Sequence, residues 1–386
     1  MQRSSVLMTE LADARVQTDR LFDLISPEAL YSRPISERHR LIFYLGHFDA
    51  FDWNLLARRT LGAPAFHSGF DALFERGIDP PAGQVPSDNA SDWPEKSEVE
   101  KYNFATREWI DAHLSNMDST AVRMAIEHRL MHAETFAYLM HNLPYKDKAG
   151  GPRPESSDRP APANLMVRIA AGTSHMGLQR GEFGWDNEYL AHEIAVQEFA
   201  IMKHKVSNGE YLAFVREGGE APYFWRWEAG RWFYRGMFGE IPLPLDHPVW
   251  GTWRQADAYA KWRGLALPTE AQFQMAAQTM RADSARDNFD FQHWDPIAVD
   301  ASNGGAGPKQ MVGNGWEWTR DVFAPFEGFK PHPSYQGYSA DFFDGQHYVL
   351  KGASPRTATA LTRPSFRNWF RPDYPHMYAG FRLVEN

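Results

Sequence analysis

The sequence predicts an α plus α+β protein in two domains, a helical bundle followed by an irregular α+β domain. Three observations carry this. At 386 residues the chain is too long for one ordinary core. Apolar residues recur at three- and four-residue spacing up to residue 145, then give way to short β-like runs between Gly-, Pro- and Asn-rich turns. Between the two textures lies KDKAGGPRPESSDRPAPAN, which is Gly, Pro, Ser and charge with almost no apolar residue, the composition of a linker. The expected domains are therefore 1–145 and 165–386, with 146–164 as linker.

In the first domain the helical spacing covers Leu21 to Ile25, Leu41 to Leu56, Val99 to Leu114 and Met124 to Leu143. Pro and Gly cluster between the second and third of these, in FERGIDPPAGQVPSDNASDWP, a connection long for a bundle and able to reach over a site. Four helices with one long crossing loop make a four-helix bundle, an architecture that builds metal sites from inward-facing side chains. In the second domain MVRIAAGT, EIAVQEFAI and HYVLKGAS read as strands. Helical spacing there is confined to Asn208 to Val215, Arg254 to Trp262 and Glu270 to Thr279. No tandem repeat is visible.

Composition removes whole classes of function. A net charge of −9 argues against a nucleic-acid partner, which needs clustered Lys and Arg. No apolar run approaches the roughly 20 residues needed to span a bilayer. MQRSSVLMTELADARVQ lacks the apolar stretch of a signal peptide, so a cytoplasmic protein is expected. There is no cysteine, which excludes disulfides, zinc–thiolate sites, iron–sulfur clusters and thiol nucleophiles. Any metal must be held by His and carboxylates. With 14 Trp, 15 Tyr and 26 Phe, most rings pack cores, and a minority are available to line a pocket for a flat or cationic ligand.

His128 and His132 lie four residues apart in MAIEHRLMHAETFAYL. On a helix that spacing puts both imidazoles on one face, one turn apart. Glu134, two residues on, points elsewhere, which makes a two-His-one-carboxylate triad geometrically poor. The third ligand should come from another helix. His47 in FYLGHFDAFDW sits mid-helix among apolar neighbours, where an unpaired imidazole is costly, and Gly46 would admit a close backbone. Asp49 and Asp52 flank it; solvent-facing carboxylates are the ordinary reading of each, outer hydrogen-bond partners the functional one. An H-x-x-x-H pair alone is a weak signal, more often two histidines on a polar face than ligands.

The second domain carries a far more specific signal. GEFGWDNEYLAHEIAVQEFAIMKHKVSNGEYLAFV, WRQADAYAKWRGLALPTEAQFQMAA, GNGWEWTRD and SFRNWFRPDYPHMYAGFRLV follow in order. They resemble the blocks of the formylglycine-generating-enzyme-like (sulfatase-modifying-factor) domain, an irregular C-type-lectin-like α+β fold. The first half, with YLGHFDAFDW and HRLMHAE, resembles the DinB-like iron-binding bundle. The pair of domains is similar to the ergothioneine-pathway sulfoxide synthases and their relatives. Formylglycine-generating enzymes themselves bind copper through paired cysteines, and a chain without cysteine cannot do so.

The resemblance implies Fe(II) held by His47, His128 and His132, at a site between the bundle and the second domain. It implies hercynine, the trimethylammonium betaine of histidine, as acceptor, and molecular oxygen with a thiol donor as the other reactants, joined at the imidazole carbon between the two nitrogens. A tyrosine supplies a proton; Tyr335 in PSYQGYS matches, with Tyr338 the nearby alternative. Asn368 and Trp369 in SFRNW match the stretch that approaches the histidine-derived substrate. A quaternary ammonium has no N–H to donate, so aromatic faces must recognise it. Trp318, Trp369 and Phe370 are the candidates, with Trp316 more simply a core residue.

One departure bears on the donor. Synthases using γ-glutamylcysteine carry a basic pair in a segment resembling R-G-L-x-S-R-P, where this chain reads FERGIDPPAGQVPSD. Arg76 matches the first arginine and nothing matches the second. A dicarboxylate needs fixed guanidinium partners, whereas a hydroxylated donor asks for carboxylates and amides such as Asp79, Asp88 and Asn89, whose ordinary role is in solvated turns. This loop and HRLIFYLGHFDAFDWNLL resemble the selenoneine synthase branch, which joins selenium from a selenosugar to hercynine. That branch is the favoured reading, and a hercynine sulfoxide synthase using γ-glutamylcysteine or cysteine is the alternative. A non-catalytic ligand-binding module and a zinc-dependent thiol transferase of DinB type are readings of other classes.

Overall fold

The structure is a computed structural model describing residues 2–75, 77, 85–278, 283–302 and 305–385, with the backbone alone for residues 2–4. The chain forms two compact units, Met1–Pro152 and Arg153–Asn386, the division falling inside the stretch that reads as linker.

The first unit is helical. Helix α1 (Gln2–Phe22) buries Leu7, Leu11, Ala14, Thr18 and Leu21, a face with spacings of four, three, four and three. This corrects the expected position of the first helix: past Phe22 the chain turns, and Ile25 pairs with Lys148 instead. Helix α2 (Leu41–Asp52) is buried on every side, then widens into π-type turns over Trp53–Thr60, a geometry that recurs at functional sites. Helix α3 (Ser68–Leu73) opens the crossing connection, pinned where Tyr102 donates to Asp71 and Asn54 to the Asp71 carbonyl. Helix α4 (Lys96–His113) ties to α2 through Asn103, which donates to the Leu45 carbonyl at 2.8 Å. Helix α5 (Ser119–Asn142) starts at Asp118, whose carboxylate accepts from the Ala121 N–H, and α1 and α2 both pack on it. No helix among the described residues is long and apolar enough to cross a membrane.

The second unit is a set of small sheets held by short helices. In chain order it runs β1 (Met166–Ile169), β2 (Gly172–Met176), β3 (His192–Val196), β4 (Phe199–Met202), α6 (Asn208–Arg216), β5 (Trp225–Glu228), β6 (Arg231–Arg235) and β7 (Glu240–Pro242). Then follow α7 (Trp253–Trp262), α8 (Glu270–Ala277), β8 (Gly315–Val322), β9 (Tyr348–Ala353), β10 (Asn368–Phe370), β11 (Ala379–Gly380) and β12 (Val384–Glu385). The sheets are ordered β1-β4-β12, β10-β9-β8-β11, β2-β3 and β5-β6-β7. Helices α6, α7 and α8 each open with a reciprocal cap, Ser207 with Glu210, Thr252 with Gln255 and Thr269 with Gln272. Met176, Val196, Phe199, Ile201, Phe273 and Met311 form a shared core.

Strand β8, from the GNGWEWTRD block, is the buried spine. Its Glu317 is fully buried and accepts from Lys205 Nζ and Arg382 Nε at 2.5 and 2.6 Å, tying three distant segments together. Removing one member of such a group would strand a buried charge. Just before the strand, Asn314 bonds Asn288, Ile297 and Gln310 at once.

Candidate functional site

Three imidazoles converge inside the first unit. Among the described residues, His47 on α2 with His128 and His132 on α5 form a buried group whose ligand atoms lie within 4.8 Å of one another. The Nε2 atoms of His128 and His132 are 3.0 Å apart. Two nitrogens at right angles on an ion about 2.1 Å away would be separated by about 3.0 Å, so the i, i+4 pair fits two adjacent corners of an octahedron.

The tautomer of His47 is set by its surroundings. Nδ1–H donates to the Phe74 carbonyl at 2.6 Å, which turns Nε2, buried and without a protein partner, into the lone-pair side of the ring. Gly46 makes this possible: a Cβ there would stand 2.5 Å from the Phe74 ring. The close approach that glycine permits is thus by an aromatic ring rather than by a backbone. His128 stacks on Phe51 at 3.4 Å and His47 on Phe43 at 4.8 Å, which limits ring rotation. Burial lowers the pKa of all three histidines. It brings His47 to about 4, and His128 and His132 are lowered further by their imidazole neighbours. Each is therefore neutral near pH 7, the form that ligates a metal.

Glu134 is buried on the same helix yet lies outside this group. Asp49 and Asp52 are not solvent-facing. Both are almost fully buried, and Arg129, itself fully buried, donates to each at 2.7 Å. Arg107 adds a second guanidinium to Asp49 and reaches Asp19 on α1. Burial pushes the Asp49 carboxyl up, but Arg129 and Arg107 outweigh it and hold it at about 2. For Asp52 burial prevails over Arg129 and its pKa is raised. Arg129 follows His128 directly, so the helix that offers two ligands on one face offers their neighbouring helix an ion pair on the next. Residue types alone hid this network, because Arg129 stands among other charged residues of α5, Arg123, Glu127 and Glu134.

In the second unit the tyrosine candidates sit in an aromatic cluster. Tyr338 is buried and stacks on Trp185 with centroids 4.0 Å apart, while Tyr335 is half-buried and meets the edge of Trp185 at 6.3 Å. Trp369 on edge strand β10 stacks on Phe323 at 4.3 Å and meets Tyr338 edge-on at 5.4 Å. Asn368 accepts from the Trp369 backbone N–H, and Phe370 stacks on Tyr374. The structure thus joins Tyr335, Tyr338 and Trp369 in one cluster. Trp318 lies apart from it, fully buried, with its indole N–H donated to the Gly251 carbonyl at 2.8 Å. Trp316 is buried against Phe366. Of the crossing loop, Arg76 and Asp79 lie outside the described residues. Asp88 is not free for a sugar, because it accepts from Arg33, Arg40 and Trp93, and Asn89 caps a short turn with Asp92.

Residues 152–386 match the model of the sulfatase-modifying factor enzyme 1-like domain, so the chain belongs to that family. Comparison over the rest of the chain narrows this. Hercynine oxygenase of Mycolicibacterium smegmatis is 33% identical over 305 residues, covering 68% of this chain and 70% of that protein, and the chain belongs with these oxygenases. Hercynine oxygenase of Mycolicibacterium thermoresistibile is 28% identical over 424 residues, 98% of this chain and 94% of the relative. Ergothioneine biosynthesis protein 1 of Schizosaccharomyces pombe is 28% identical over 420 residues, 94% of this chain and 54% of that protein. The chain therefore spans about half the length of the fungal relative and nearly all of the second mycobacterial one.

Proposed function

We propose that this protein is an oxygen-dependent non-heme iron enzyme that forms a carbon–chalcogen bond at the imidazole carbon of hercynine. The observation that carries this reading is the dry group of three neutral imidazoles in a chain that belongs with the hercynine oxygenases. Three uncharged ligands leave a divalent ion its full charge and about three coordination positions for reactants. Ferrous iron, when bound, would supply the redox chemistry that couples oxygen to bond formation. The chain's own part is to hold the imidazoles in one tautomer, to exclude water with Phe43, Phe51 and Phe74, and to present an aromatic face to the trimethylammonium group. Trp369 serves that last role, since its ring lies on a half-buried edge strand whereas Trp318 is wholly enclosed. Tyr335 or Tyr338 lends a proton during turnover and recovers it, since the hydrogens of the donor and of the imidazole carbon leave together with one oxygen atom as water.

A selenosugar is the favoured donor. Arg33 and Arg40 reach the described end of the crossing loop, and both spend their guanidinium groups on Asp88. Two guanidinium groups against one carboxylate leave a single net positive charge at that described end, one short of what a donor with two carboxylates asks for. The test is anaerobic loading with Fe(II), then oxygen with hercynine and, in turn, a selenosugar, a thiosugar, cysteine and γ-glutamylcysteine, with products read by mass. A selenium adduct formed in preference is the expected outcome. A sulfoxide from γ-glutamylcysteine would replace the donor and keep the reaction class. Absence of oxygen uptake with every donor, or zinc as the metal retained, would overturn the reading.

A further inference from the structure

The turn Trp185–Glu188, in the block GEFGWDNEYL, is one of the most heavily tied segments of the second unit. Its four residues are buried, and each grips one of two other segments. Two of them hold the loop that carries the tyrosines. The Trp185 ring stacks on Tyr338 at 4.0 Å, and the Asp186 carboxylate accepts from the hydroxyl of Ser339, which is also fully buried. Burial raises the Asp186 pKa, while Ser339 and the backbone N–H of His332, at the loop's far end, favour its charged form.

The other two residues hold the segment that leads into β10. Glu188 takes a two-pronged bond from Arg363, with Nε at 2.8 Å, and a third from the Ser365 hydroxyl at 2.7 Å. The Asn187 carbonyl accepts from Arg367 Nη1 at 3.2 Å. Asn368 and Trp369 follow directly. One four-residue turn therefore lies between the proton-holding loop and the aromatic strand, and bonds to both.

We infer that Trp185–Glu188 is a positioning element that sets the tyrosine loop against the Asn368–Trp369 strand, with Asp186 governing the loop and Glu188 governing the strand. This deepens the proposed function and rests on it. Loops need such a device because no backbone ladder fixes them, and a misplacement of about 1 Å at a reacting group can cost on the order of 10²-fold in rate.

The division of labour makes the inference testable on the full-length, iron-loaded protein. Asp186→Ala should lower kcat by about 10- to 100-fold while KM for the betaine changes by less than about threefold. Asp186→Asn, which keeps an oxygen for Ser339, should recover most of that loss. Glu188→Gln should do the reverse, raising KM by about tenfold with a smaller change in kcat. Ser365→Ala is the milder version of Glu188→Gln should that variant fold poorly, and Ser339→Ala is the milder version of Asp186→Ala. Amide hydrogen exchange, read in parallel without substrate, should rise across residues 332–339 for Asp186→Ala and across 363–370 for Glu188→Gln. Exchange that rises in neither segment, or in both for either variant, would overturn the inference. So would Asp186→Asn behaving as badly as Asp186→Ala, which would mean that charge and not anchoring matters. If no donor supports turnover, the exchange pattern still decides the structural claim, and only the proposed chemistry fails.

Discussion

The two units bury charge in different ways. In the helical unit, Arg129, Asp49 and Asp52 sit on regular helices, and the same helical repeat that aligns His128 with His132 aims Arg129 at the neighbouring helix. In the second unit buried charges join segments that no repeat relates, a turn, the start of α8 and strand β8 each to distant loop residues: Glu188 to Arg363, Glu270 to Arg367, and Glu317 to Lys205 and Arg382. A site on helices inherits its geometry from backbone hydrogen bonds. A site on loops must have its geometry supplied by long-range ion pairs, and each of those is a point at which it can be released.

The largest test of this contrast removes a ligand. His132→Ala should abolish iron retention, a loss beyond the roughly 10- to 100-fold in affinity typical of deleting an outer partner, while the fold persists. Metal analysis and circular dichroism read the two halves of that statement, and unchanged iron content would dissolve the triad. Next comes Arg129→Met, which leaves Asp52 buried without its cation and Asp49 with Arg107 alone. It should destabilise the first unit by about 3–5 kcal/mol in urea denaturation. A loss under about 1 kcal/mol would show that the helices hold without their ion pair.

Acid should act in the same unit. The metal-free folded chain keeps His47 neutral down to about pH 4, whereas the unfolded chain takes up a proton near the ordinary value of 6.5. Between those limits the unfolded state binds more protons, so stability is fully present above pH 6.5 and is lost as pH falls toward 4, by about 3 kcal/mol from His47 alone. His128 and His132 shift in the same direction and steepen the loss. Urea midpoints of metal-free protein at a series of pH values measure it, and a flat profile would place the imidazoles in contact with water.

The smallest expected effect comes from Gly46→Ala. Its new methyl group must displace the Phe74 ring, at a cost of about 1–3 kcal/mol, and with it the carbonyl that orients His47. Iron affinity should fall by about tenfold, measured by chelator competition, since His47 keeps its place and loses its orientation. Unaltered affinity would mean that the Phe74 carbonyl does not matter to the ligand.

Much of the first unit could be read in advance. Four-residue spacing put His128 and His132 on one face, and the apolar run around His47 marked a helix with an imidazole costly to leave unpaired. The first helix was legible too, in Leu7, Leu11, Ala14, Thr18 and Leu21, but charged residues between these positions masked the stripe. Asp49 and Asp52 read as solvent-facing because a carboxylate's default place is in water, and the Arg129 that overrides the default lies about eighty positions away. Asp88 was misread for the same reason, its partners Arg33 and Arg40 being far off in sequence.

The sequence by itself determined the helical register of the histidine pair, the absence of protein thiolate chemistry and the two-domain order. Each depends on residues within a few positions of one another, where backbone geometry leaves little choice. Tertiary structure alone decided that Phe74 selects the His47 tautomer, that Trp318 is enclosed while Trp369 stays half-buried, and that the turn at Trp185–Glu188 joins the tyrosine loop to the aromatic strand. Those relations are made by side chains tens to hundreds of residues apart, through burial and charge pairing that no local pattern encodes.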